Sequence, residues 1–243
     1  MPTQHLTRLL AVLALLPLAG ACSGAQDGPQ AAGTLRTAES GDHLLITTDN
    51  GLRLRPADDD HVTVDDRLHQ HWSGSGDVRT LDLSCAAGED CPRMPYVEVP
   101  DGVSVTVTAR NAGVDAAGVA AALDLTTVNG DVTVSRSGPD HGTVRLSTRN
   151  GSVRATAVHA NRVHAATVNG DVVLGCGTVP SGVTATTVNG SVEVTVPHDG
   201  PAYRVTTATD NGRATVGVPT GNADRNHFLK LDTVNGDVAA RRE

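Results

Sequence analysis

The groups in this 243-residue chain that could do chemistry fall into a few places. Asp58, Asp59, Asp60 and His61 form one polar cluster, and Asp65, Asp66, His69 and His71 form a second, followed by Trp72. Carboxylates with two histidines at alternate positions would share one side of an extended strand and suit a divalent cation. A solvated loop running into a strand edge accounts for the same residues. No HExxH, paired CxxC, EF-hand loop or GGxGxD calcium repeat supports a metal, so no metal and no cofactor are expected. Nucleophilic catalysis finds no Gly-x-Ser-x-Gly elbow, and phosphate binding finds no Gly-rich loop ahead of a helix. A glycan-acting enzyme would need clustered acids beside aromatic platforms, whereas Trp72, Tyr96, Tyr203 and Phe228 are scattered. The expectation is therefore that the chain is not an enzyme.

The cysteines carry more information. Arg8 precedes an apolar run from Leu9 to about Leu18, followed by Ala19-Gly20-Ala21-Cys22. That run is too short to span a membrane and has the form of a targeting segment. Small residues ahead of a cysteine resemble a bacterial lipobox, in which Cys22 would be lipidated after removal of residues 1–21. The usual leucine three before the cysteine is Ala19 here, and an ordinary secretory signal is the alternative. Either way the mature chain is expected outside the cytoplasm, on the cell membrane if the anchor is used. Residues 22–40 then comprise the anchor and a Gly-, Ala- and Ser-rich flexible tether, on the order of 25 Å long as a coil. In an oxidising compartment Cys85 and Cys91, which bracket a Gly-containing turn, are expected to form a local disulfide. Cys176 continues the alternation of Val172 and Leu174 and reads as a buried small hydrophobe.

What must position these groups is a repeat. Thr-x-Asn-Gly recurs with asparagines at Asn129, Asn150, Asn169, Asn189, Asn211 and Asn235, in steps of 19 to 24 residues, and an earlier copy holds Asn50. Apolar residues lie six and four before most of these asparagines, and two and four after the glycine, so two half-buried strands flank each turn. A degenerate copy at Asn111 has Ala112 in place of the glycine, so the array runs over 103–243 with about seven repeats. Residues 41–102 form a less regular N-terminal β region, where the Asn50 copy stands apart.

Two all-β folds use this pattern. Asn-Gly between alternating strands is a hairpin signal and would give an antiparallel sandwich. A parallel β-helix, or β-solenoid, with rungs of about 20 residues would stack equivalent residues about 4.8 Å apart. The constant Thr, the near-fixed period, the asparagines able to form a hydrogen-bonded ladder, and an aromatic content of only 2% favour the solenoid. Asp131, Asp171 and Asp237 alternate with Ser152, Ser191 and Arg213 after the turns, which reads as a polar surface row, not a metal ladder. The residues before the asparagines (Val128, Arg149, Val168, Val188, Asp210 and Val234) either pack at the corner of the tube or form an exposed stripe able to dock a partner.

A net charge of −8, with one lysine among 19 basic residues, argues against nucleic acid and anionic membrane surfaces as partners. The T-V-N-G-D-V blocks, the lipobox, the Cys turn and the segment Tyr96-Val97-Glu98-Val99-Pro100-x-Gly102 together resemble the putative-adhesin domain family of bacterial surface lipoproteins, over residues 40–243. The resemblance implies a right-handed single-stranded β-helix outside the cytoplasm and supplies no catalytic residues. The reading that follows is a lipid-anchored structural or adhesin-like interaction module. Its partners would be the membrane through Cys22 and an envelope protein or cell-wall component. An envelope sensor regulating a membrane partner and a carbohydrate-active enzyme are the rival readings. Oligomeric state is left open.

Overall fold

Period-two alternation on either side of each turn becomes two facing stacks of short strands in the computed structural model, which describes residues 36–85, 91–223 and 225–243. No helix occurs among the described residues. One sheet orders its strands Arg204–Asn211, Phe228–Asn235, Gly182–Thr186, Arg162–Ala166, Thr143–Ser147, Leu123–Thr126, Ser104–Ala109, His43–Thr48, Val78–Ser84 and His69–Ser75. The other runs Arg36–Thr37, His61–Val64, Tyr96–Val99, Leu52–Pro56, Val114–Ala117, Val132–Ser135, Val153–Val158, Val172–Cys176, Val192–Val196, Val238–Arg242 and Ala214–Val216. Neighbours are parallel except at the N-terminal end, where Arg36–Thr37, His61–Val64 and His69–Ser75 pair antiparallel. Setting those three strands aside leaves nine in each sheet, hence nine stacked levels. This is the β-solenoid, and the Asn-Gly turns are its corners, not hairpins.

Registry is what lets small aliphatics fill it. Val105, Leu123, Val144, Val163, Val183 and Leu229 form one column, and Val114, Val132, Val153, Val172, Val192 and Val238 form another. All of these are buried. Volume is balanced within levels: Leu146 accompanies Ala155, while in the next level Ala165 accompanies Leu174, each pair equidistant from its turn. Within these columns the core is filled by aliphatic side chains alone.

The order of levels is not the order of the chain. At the C-terminal end Phe228–Asn235 pairs with both Gly182–Thr186 and Arg204–Asn211, so the last repeat inserts between the two before it. At the other end His43–Thr48 pairs directly with Ser104–Ala109, and Leu52 with Val114. The Asn50 copy, distant in sequence, is thus the next level of the same array. Its turn is one residue shorter than that of Asn111, which is why the apolar pattern shifts to Leu52 and Leu54. Arg36 and Thr37 pair with Val62 and His61, and Ala38 is buried, so residues 36–38, expected to be tether, belong to the folded body. The targeting segment and Cys22 lie outside the described residues.

Candidate interaction ridge

Each turn is built by three residue types with separate jobs. The threonine hydroxyl donates to the carbonyl of the glycine one level below: Thr148 to Gly130, Thr167 to Gly151, Thr187 to Gly170, Thr233 to Gly190 and Thr209 to Gly236, all at 2.8 Å. Thr127 makes the same bond to Ala112. All of these threonines but Thr209 are buried, where an unpaired hydroxyl would be costly. The glycines let consecutive turns approach, since a Cβ on Gly151, Gly170 or Gly236 would lie 2.1 Å from the carbonyl oxygen of the glycine beneath. The asparagines then form a ladder outside. Asn150 donates to Asn129, Asn169 to Asn150, Asn189 to Asn169, Asn235 to Asn189 and Asn211 to Asn235, at 2.8–2.9 Å. Asn129 reaches Asn111 at 3.3 Å. In the shorter Asn50 turn the Thr48 hydroxyl accepts from Asn50 N–H at 3.1 Å and serves its own level.

Two rows flank the ladder. On one side the spatial order is Asp131, Ser152, Asp171, Ser191, Asp237, Arg213, because the last repeat is inserted. Backbone N–H groups donate up this row, from Ser152 to Asp131, Asp171 to Ser152, Ser191 to Asp171, Asp237 to Ser191 and Arg213 to Asp237. On the other side run Val128, Arg149, Val168, Val188, Val234 and Asp210. Of the two options left by the sequence, the structure selects the exposed stripe: Val128, Val168, Val188 and Val234 are 38–40% exposed. Insertion makes Val168, Val188 and Val234 consecutive. The ridge thus has a hydrogen-bonded amide ladder at its centre, a mostly apolar edge interrupted by Arg149, and a polar edge in which Asp and Ser alternate up to Arg213.

The remaining candidates are dispersed. Cys85 and Cys91 are bonded, with Cα atoms 6.1 Å apart, beside the N-terminal end of the tube. Asp58, Asp59 and Asp60 are exposed, and His61 Nδ1 lies 3.4 Å from Asp59 Oδ1. Asp65 is buried and clamped by Arg67, whose Nη2 and Nε donate at 2.7 and 2.9 Å, so its carboxyl is held below the usual range. His71 sits opposite Asp82 on the exposed hairpin. Among the described residues no three His, Cys, Asp or Glu side chains converge as a metal set. Cys176 is buried, its thiol pushed up to about 12 by desolvation, so at neutral pH it is no nucleophile. The Asp65 clamp was not legible beforehand, since an Asp-x-Arg pair reads as solvated charge until burial is known.

A family model described as Toastrack DUF4097 matches residues 60–241. The chain belongs to that family. Solved structures similar to this Toastrack chain include a putative adhesin from Parabacteroides distasonis, at 14% identity and TM-score 0.46, covering 86% of this chain and 95% of that one. A putative adhesin from Bacteroides fragilis aligns at 14% identity and TM-score 0.45, covering 87% and 96%. A putative cell adhesion protein from Clostridium sporogenes aligns at 7% identity and TM-score 0.41, covering 87% and 99%. No curated protein matches the chain.

Proposed function

We propose that this Toastrack protein is a lipid-anchored, extracytoplasmic interaction module at the cell envelope, adhesin-like and without a catalytic step. Residues 1–21 direct export, Cys22 carries the lipid and becomes the first residue, and a tether leads to the solenoid. An oxidising compartment is the setting in which a Cys85–Cys91 bond persists. The observation that carries the reading is the ridge. Its polar groups already serve one another rung by rung, while its valines remain exposed, an arrangement suited to contact and not to turnover. The occupant is an envelope protein or cell-wall component; nucleic acid is not favoured by an acidic chain.

In-cell cross-linking of the intact protein, with partners identified by mass spectrometry, tests this. Partners captured by the parent and lost from both Cys22→Ala and Val168→Asp/Val188→Asp support an anchored, ridge-mediated contact. The valine pair is exposed, so its variant retains the fold, which a thermal melt checks. Capture indifferent to both changes overturns the reading.

A further inference from the structure

The two ends of the tube are finished differently. At the N-terminal end the interior is closed: Ala38, Val62, Val64, Leu68, Leu81 and Leu83 are buried beneath the antiparallel strands. At the C-terminal end Arg204–Asn211 and Ala214–Val216 are the outermost strands of their sheets. Their inward-facing residues are uncovered, with Val205 half-buried and Val216 44% exposed, whereas the equivalent Leu229 and Ala240 one level in are fully buried. Beside them opens a cavity of about 700 Å³ lined by Tyr203, Val205, Val216 and Val218 among others. Strand Val238–Arg242 lies one level inside and leaves Ala214–Val216 at the edge. An eight-residue edge strand with an apolar interior behind it is a template for strand addition.

We propose that the occupant is a second copy of this chain, joined end to end across a two-fold axis through Thr207. The strand's own sequence argues for it. Antiparallel pairing must match inward with inward residues, and among the registers that do so the one that also opposes unlike charges sets Val205 opposite Thr209, Thr206 opposite Ala208, and Thr207 opposite itself. That register sets Arg204 of each copy opposite Asp210 of the other, giving two complementary charge pairs from one self-complementary strand. It also covers Val205 and brings the second pair of edges, Ala214–Val216, to the same junction. The inference does not depend on how the chain is anchored.

The test uses the full-length chain carrying Cys22→Ser, so that lipid plays no part. Sedimentation velocity over roughly 1–100 μM is expected to show a monomer–dimer equilibrium. Arg204→Glu places like charges opposite each other and weakens association at least about ten-fold. Arg204→Glu/Asp210→Arg restores association, which a misfolded variant would not. Under mild oxidation Thr207→Cys yields a dimer linked 207 to 207, as opposed Cα atoms about 5 Å apart allow. Thr206→Cys, offset from its own copy, does not. A monomer throughout, a dimer unmoved by Arg204→Glu, or no 207–207 link would each overturn the proposal.

Discussion

Gly170 shows how a single atom can be excluded by a neighbouring level. Its φ is 152°, and a Cβ there would lie 2.1 Å from the Gly151 carbonyl oxygen, the same oxygen that accepts from Thr167. Gly170→Ala is expected to destabilise by about 2–4 kcal/mol in urea denaturation, since the backbone must shift and the threonine bond with it. Gly221→Ala meets nothing within 4 Å and should change stability by less than about 0.5 kcal/mol, which makes it the control. Asp65 supplies a different kind of test. Hydrogen bonds from Arg67 lower its pKa in the folded state, led by the side-chain bond. The stabilisation is therefore present above the unfolded pKa near 3.9 and is lost as pH falls through the lower folded value. Asp65→Asn should lower the melting temperature at pH 6 and 7, with the gap from the parent closing below about pH 4. A gap independent of pH would show that ionisation of Asp65 is not what holds the loop.

Along the strands and corners, charge follows spatial neighbours and not sequence neighbours. Asp171 and Asp237 are separated by Ser191, so carboxylates in the row stand about 9.6 Å apart instead of about 4.8 Å. Ser191→Asp keeps an acceptor for Asp237 N–H but places three carboxylates in succession. It should cost about 1–2 kcal/mol at low salt and less at roughly 0.5 M, read from urea midpoints at the two ionic strengths. Equal cost at both would mean the serine is needed for its hydroxyl. The columns Val144–Val163–Val183 and Val153–Val172–Val192 and the Thr-x-Asn-Gly corners were legible because local alternation decides which side chains face inward. Which level touches which was not. Every repeat offers the same inward pattern, so nothing local distinguishes Asn189 beside Asn211 from Asn189 beside Asn235. For the same reason the exposure of Val168 and Val188 could not be read from sequence, since a corner valine and a surface valine look alike.

Across the whole stack, insertion of the last repeat has several consequences at once. It makes Val168, Val188 and Val234 consecutive, keeps Asp237 beside Ser191, and leaves the strand Arg204–Asn211 as the terminal edge. All three depend on one topological fact, which is testable with the intact chain. Parallel neighbours lie about 4.8 Å apart, within the Cα range a disulfide tolerates, whereas next-nearest levels lie about 9.6 Å apart and beyond it. Val188→Cys/Val234→Cys should therefore cross-link within one molecule under mild oxidation, since Asn235 N–H already donates to the Val188 carbonyl at 2.9 Å. Val188→Cys/Asp210→Cys should remain reduced. The opposite result would mean that the levels stack in chain order. In that case Arg241 and Arg242 would lie at the open end, the three-valine run would be broken by Asp210, and the self-complementary edge would be buried inside the stack.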